Sequence, residues 1–177
     1  MWPTTIYGCP IKNQGFADWF FCLATGNDGD LEKGVPFPNP RFIVFGTGEE
    51  KVLDNLTGVI WSRENGAAGA DVGDWSMAVE FCRGYDEDGY EFRLANVREM
   101  SSIIAYQFND PAVCNYDCSG KNTWGNPFYA MASDFYWTST TCSTGSQYAW
   151  AVNLFHGVTE AKSKTEVHRF WCVADAP

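Results

Sequence analysis

The stretch Tyr90 to Gln107, YEFRLANVREMSSIIAYQ, constrains this chain most, because its hydrophobic pattern switches abruptly from extended to helical. Phe92 and Leu94 alternate with Glu91 and Arg93, as on a short strand. Asn96 and Glu99 then make an N-cap and N3 pair. The Asn oxygen accepts from amides of the first turn, Glu99 reaches back to the cap amide, and its charge suits the positive helix end. Val97, Met100, Ile103, Ile104 and Gln107 follow at steps of three and four. The sequence therefore predicts a strand pinned to a buried helix whose apolar stripe runs to Gln107.

Such a pairing belongs to a mixed α and β fold, and composition says which kind. Charged residues are only 19%, aromatics reach 16%, and 17 glycines accompany them, which fits aromatics spread over short strands between many loops and excludes a helical bundle. At 177 residues the chain can bury one core of its own, so residues 1–177 are read as one domain, with 1–23 as an N-terminal extension or arm. Twelve basic against 22 acidic residues give a net charge of -10, which repels phosphate backbones and anionic membrane surfaces. Neither nucleic acid nor direct membrane insertion is expected, since no apolar run approaches the length of a membrane span. The start, MWPTTIYGCP, lacks a basic n-region and an apolar run, so no export signal is legible and a mature or trimmed form is expected.

Seven cysteines, at positions 9, 22, 82, 114, 118, 142 and 172, match no zinc spacing and have only two histidines beside them. That pattern points to disulfides and an oxidising compartment, with the odd count leaving at least one thiol unpaired or intermolecular. Before Ala24 the aromatics Trp2, Phe16, Trp19, Phe20 and Phe21 keep no period. The segment reads either as a strand pair closed by a Cys9–Cys22 bridge or as an arm that docks on a neighbouring subunit. In GNDGD, Asp28 and Asp30 with Asn27 resemble the oxygen-rich start of a calcium loop, but the bidentate Glu of an EF-hand is missing at its spacing. They stand as calcium candidates beside the simpler reading of an Asx turn, and no other cofactor is expected.

Pro36, Pro38 and Pro40 force an extended path into RFIVF, KVLD and VIWS, a β meander from Arg41 to Ser62. Val59 and Trp61 point to one face and Ile60 to the other, so the piece is read as covered on both sides. Asn55-Leu56-Thr57 is formally a glycosylation sequon and reads as a turn. Asp74 can cap a helix carrying Trp75, Ala78, Val79 and Cys82 at helical spacing, and Asp86-Glu87-Asp88-Gly89 after it reads as a solvated turn. Residues 109–133 have no period and read as a long functional or disulfide-stapled loop. Strands return in FYWTST, in YAWAVNLF, and, after a turn at His156-Gly157, in a last strand HRFWCVA. In the second, Trp150, Val152 and Leu154 are read as core, and Ala151, Asn153 and Phe155 as surface.

YEFRLANVREM resembles the D-W-R-L-P-N-x-x-E-L signature of the Lcl C-terminal domain family, bacterial domains named after a Legionella collagen-like adhesin. Further pieces match in the same order: ATGNDGDLEKGVPFPNPRF from Ala24, VLDNLTGVIW from Val52, DWSMAVEFC from Asp74, FYWTSTT from Phe135, YAWAVNLFHG from Tyr148 and RFWCV from Arg169. The departures are Ala95, where the family usually has Pro, and Glu91-Phe92 in place of Asp-Trp. The resemblance implies a C-type lectin-like fold of the α+β class, with two helices, antiparallel sheets and long irregular loops. It also places cysteines at the points matching Cys82 and Cys172, and so implies a disulfide between helix and final strand.

Three function classes follow. His156 and His168 form no H-x-x-x-H pair, and neither G-x-S-x-G nor a phosphate-cradling glycine loop is present. The stretch Arg93 to Glu99 looks like the R-L-P-T-E of enzymes of the same fold class that modify sulfatases, but their C-terminal cysteine pattern is not evident, so no enzyme is expected. The triplets by which calcium-dependent lectins hold calcium and sugar are absent too. The remaining reading, which the resemblance favours, is a non-catalytic adhesion or ligand-binding module, extracellular on a bacterial or phage surface or appendage, engaging a protein or glycan. A structural subunit of a filament or homo-oligomer is the alternative.

For the binding surface, the pleat of regular strands puts Asn153, Phe155 and His156 on one face with Arg169 and Trp171, opposite Trp150, Val152 and Leu154. Aromatics with Asn, His and Arg between them offer stacking and directed hydrogen bonds, and subunit packing through that face is equally open. The resemblance adds that related hypervariable proteins cluster their ligand-facing residues in the equivalent strands. Net charge disfavours anionic ligands unless Lys162, Lys164 and Arg169 form a local basic patch. Trp61, Trp75, Trp137 and Trp150 are expected in the core, and the loop from Cys114 to Pro127 is the next candidate surface.

Overall fold

A computed structural model describes residues 34–64, 72–121, 127–129 and 131–176. Two compact units divide the chain at Phe37, and every element below lies in the second, Pro38–Pro177. The expected Cys9–Cys22 bridge, the calcium candidates Asp28 and Asp30, and the arm at 1–23 lie outside the described residues.

The meander forms as expected, as strands β1 (Phe42–Phe45), β2 (Lys51–Asp54) and β3 (Val59–Ser62) in antiparallel register. In the sequon turn Asp54 accepts from the Leu56 amide and the Thr57 hydroxyl, as Asx turns do. The later short strands are β4 (Val72–Gly73), β5 (Asp86–Glu87), β6 (Tyr90–Glu91) and β7 (Arg93–Leu94). They are followed by β8 (Phe135–Thr141), β9 (Tyr148–Asn153), β10 (Thr159–Ser163), β11 (His168–Phe170) and β12 (Cys172–Asp175). One five-stranded sheet runs β1-β2-β3-β12-β7 and the other β10-β9-β8-β11-β4, while β5 and β6 form a hairpin. The β8–β11 pair is parallel, so the second sheet is mixed rather than antiparallel. Together with two helices this is an α+β architecture.

Helix α1 (Trp75–Gly84) starts at Asp74, whose carboxylate accepts from the Met77 amide, and buries Ala78 and Cys82. Helix α2 (Val97–Ser102) carries the capping box: Asn96 accepts from the Arg98 and Glu99 amides, and Glu99 from the Asn96 amide. Glu99 also takes both Arg93 terminal nitrogens at 2.8 Å, which ties strand to helix. The helix ends at Ser102, short of Gln107. Ile104 leaves it to bridge Val113, and the Ala105 amide donates to Ala112, so pairing with the following segment outcompetes further helix. Ile103 and Ile104 stay buried all the same.

The core lies between α1 and both sheets. Ile60, Leu94 and Ala174 contribute from the first sheet, Trp137, Ala149, Ala151 and Phe170 from the second, and Phe92 joins them. On the other face of Ile60's strand, Trp61 meets Phe128, which also meets Phe42 and Trp171 edge-on. The meander is thus covered on both sides, as read. Strand β9 is too: Ala149 and Ala151, the latter expected at the surface, are fully buried, and so are Val152 and Leu154. Trp61 and Trp137 are fully buried, whereas Trp75 and Trp150 are only half-buried. Trp150 lies opposite Ala161 of the edge strand β10, where little covers it, and Trp75 carries Lys164 on its ring, 3.7 Å from the centroid.

Cys82 and Cys172 form the implied disulfide, joining α1 to β12 with Cα atoms 5.2 Å apart. Cys114 and Cys118 form a second within the irregular loop, and Cys142 is the free, buried thiol among the described residues. The acidic turn proves more than solvated: Asp88 pairs with Lys51, a nearly fully buried lysine that Glu50 also holds at 2.6 Å. Burial works against the Lys51 charge, yet hydrogen bonds to Asp88 and Glu50 outweigh it and raise the pKa. The Lys51 contact in turn pulls the Glu50 carboxyl down to about 2.

Candidate functional site

Strand β9 ends in a turn built by Asn153. Its side-chain oxygen accepts from the Phe155 amide at 2.7 Å, its carbonyl from the Gly157 amide at 2.8 Å, and its own amide donates to Val158 at 2.8 Å. Gly157 adopts φ of 80°, the left-handed region that glycine enters without steric cost. Leu154 roots the turn in the core: its amide donates to Asp134 and its carbonyl accepts from Ala112. The consequence is outward display. Phe155 is 45% exposed and Val158 37%, with the His156 ring edge-on to Phe155 at 5.5 Å.

A second loop lies alongside. The Asp110 amide donates to the Phe155 carbonyl at 2.7 Å, and the Ser133 hydroxyl holds the Asp110 carboxylate at 2.6 Å. Tyr106, on the same loop, is 76% exposed and sits so close to Gly157 that a Cβ there would lie 2.9 Å from its ring. Tyr106, Phe155, His156 and Val158 therefore form one exposed patch on two loops clamped to each other by backbone hydrogen bonds. The backbone that carries these side chains is fixed before a ligand arrives, which lowers the entropy cost of binding.

The structure brings Asn153, Phe155 and His156 together as read, but not Arg169 or Trp171. Arg169 pairs in register with Tyr136, and Tyr136 with Val152, so Arg169 stands on the Val152 side of the pleat, opposite Asn153. Its nearest ionic partner is Asp134 at 3.9 Å. Trp171 is fully buried, stacked on Tyr136 and donating its indole N–H to the Ser62 carbonyl at 2.7 Å. The expected strand HRFWCVA breaks at this residue: β11 belongs to one sheet and β12 to the other, so a pleat count cannot pass through it. Tyr106 was missed because it fell inside the expected helix, although it lies off the stripe of Val97, Met100, Ile103 and Ile104. An aromatic off the stripe was the available signal.

No basic patch forms from Lys162, Lys164 and Arg169. Lys162 pairs with Glu160 at 2.8 Å and lies over the Phe135 ring, Lys164 lies over Trp75 and donates to Thr141, and strands β8 and β9 separate Lys162 from Arg169. His168 is set apart from His156, packed against Phe135 and Trp137 and held by Glu166 at 3.2 Å. The Ser163 amide, then the His168 contact, keeps the Glu166 carboxyl below its usual range. Among the described residues no group of three or more His, Cys, Asp or Glu side chains is placed to hold a metal. No described helix is long and apolar enough to cross a membrane.

Fold and site thus define a disulfide-stapled α+β domain of two sheets with an aromatic loop display at the end of one of them. The chain belongs to the Lcl C-terminal domain family, whose sequence model matches residues 50–174. No curated protein and no solved structure matches it.

Proposed function

We propose that this domain is a non-catalytic adhesion or ligand-binding module that works outside the cell and engages a protein or glycan through the Tyr106, Phe155, His156 and Val158 patch. The observation that carries this reading is the patch itself: two large aromatic faces exposed on loops that the core holds in place. Aromatics on a fixed backbone supply contact area at low entropic cost, the usual chemistry of protein and carbohydrate recognition. The family adds weight, since its namesake is an adhesin, and two disulfides suit an oxidising exterior. The non-catalytic part of the reading rests on the sequence, in which the two histidines, His156 and His168, form no catalytic motif.

The test compares the labelled wild-type chain with a Tyr106→Ser/Phe155→Ser variant on glycan arrays and on intact cell surfaces. The variant is expected to keep its melting temperature and lose binding. Equal binding by both proteins would move the active surface elsewhere, with the loop from Cys114 to Pro127 next to be altered.

A further inference from the structure

Strand β10, Thr159–Ser163, is the longest open edge among the described strands. It pairs in regular register with β9 on one side and with no described strand on the other. The competing edges are less suited to pairing: β4 and β7 have two residues each, and three prolines lead into β1. An open edge presents unpaired N–H and C=O groups whose spacing only another extended chain can match.

The sequence of this edge, TEAKS, says which chain. Placed antiparallel to a second copy with Ala161 opposite Ala161, it sets Glu160 against Lys162 of the other copy and Lys162 against the other Glu160. Thr159 then meets Ser163, whose amide must exchange the Glu166 carboxylate it holds at 2.9 Å for the Thr159 carbonyl of the other copy. In the single chain Glu160 and Lys162 project on one face and pair with each other at 2.8 Å. Glu160 is 50% exposed at the edge, whereas Lys162 is 21% exposed and lies over the Phe135 ring of β8, so its long side chain must turn outward to meet the other copy's Glu160. Directly opposed cross-strand charges of unlike sign stabilise an antiparallel pair, and unlike most sequences this one supplies them twice through one two-fold axis.

We infer that β10 is a self-pairing edge, through which two copies of this domain join their second sheets into one continuous sheet about a two-fold axis at Ala161. The dimer leaves the aromatic patch free and displays two of them, at opposite ends of the paired strands, so that binding becomes bivalent. The net charge of -10 on each copy opposes association over distance but is screened beyond about 8 Å at physiological ionic strength, so the dimer strengthens when salt is raised from very low values.

Sedimentation velocity over a range of concentrations tests this directly. The wild type is expected to show a concentration-dependent dimer, and Glu160→Lys or Lys162→Glu alone to weaken it by about tenfold or more, because like charges then face each other. Mixing these two single variants should restore a dimer, now mixed, and the exchange Glu160→Lys/Lys162→Glu should restore the homodimer. Restoration in the mixture keeps the test meaningful even if one variant loses stability, and the Tyr106→Ser/Phe155→Ser protein should dimerise like the wild type. A wild type that stays monomeric throughout, or single variants that dimerise unchanged, would overturn the inference while leaving the patch reading untouched.

Discussion

Trp171 lies flat against Tyr136, ring centroids 5.2 Å apart and planes within 15°, at the one residue that separates β11 from β12. Its indole N–H reaches the Ser62 carbonyl and its own carbonyl accepts from the Ala95 amide, so the crossover between the two sheets is fastened from both sides. That second bond needs an N–H, which a proline at position 95 would lack. Trp171→Ala is expected to destabilise the fold by about 3–5 kcal/mol, the range for deleting a large buried aromatic. Urea midpoints measure it, and a loss under about 1 kcal/mol would show that the crossover is not a point of core packing.

The disulfide between Cys82 and Cys172 closes a loop of sequence separation 90. Cross-linking residues so far apart restricts the unfolded chain and contributes roughly 4 kcal/mol in the chain-entropy account. The Cys82→Ser/Cys172→Ser protein should lose about that much. Peptide mapping without reduction should recover the two cysteines in one linked pair, and finding both as free thiols would remove the basis of the estimate.

A pH dependence follows from Glu50, whose carboxyl Lys51 pulls from 4.5 to about 2 in the folded chain. A depressed carboxyl contributes stability that is present above its unfolded pKa and lost as pH falls through the folded one, so the window runs from about 4.5 down to about 2. Wild type should therefore exceed Glu50→Gln in urea midpoint at neutral pH, with the gap closing across that window. A gap that persists at the acid end would mean that the Glu50 side chain acts through packing rather than charge.

Local chemistry was legible in the sequence wherever a few neighbouring residues decide the outcome. The Asn96–Glu99 capping box, the Asp74 cap, the meander turns and the face alternation of Ile60 and Trp61 all formed as their side chains dictate. Long-range pairing was not legible. Nothing within HRFWCVA tells that His168–Phe170 joins a strand in parallel while Cys172–Asp175 serves the other sheet, and that switch removed Arg169 and Trp171 from the expected face. Strand β10 was overlooked for the opposite reason: Thr159, Glu160 and Ala161 are exposed on an edge and show no apolar alternation to detect. The residues that stay together, Asn153, Phe155 and His156, lie in a turn whose first step, the Asn153 side chain accepting from the Phe155 amide, is local, although the Asp134, Ala112 and Asp110 backbones also hold it.

The geometry of that turn gives the final prediction. Gly157 holds φ of 80°, and a Cβ at this position would lie 2.6 Å from Ile104 Cγ2 and 2.9 Å from Tyr106 Cε1. Ile104 is buried and cannot yield, whereas Tyr106 is an exposed side chain free to swing away. Gly157→Ala should thus cost roughly 1–2 kcal/mol from the left-handed backbone alone, and in addition push the Tyr106 ring off the turn. The patch would lose one of its two aromatic faces while the strands stay paired. Hydrogen exchange should show β9 and β8 protected as in the wild type. Ligand binding, once a ligand is in hand, should fall toward that of Tyr106→Ser, and adding Gly157→Ala to Tyr106→Ser should cost little further binding because both act through one ring. Wild-type binding by Gly157→Ala would separate Tyr106 from the recognition surface and leave Phe155 and His156 to carry it.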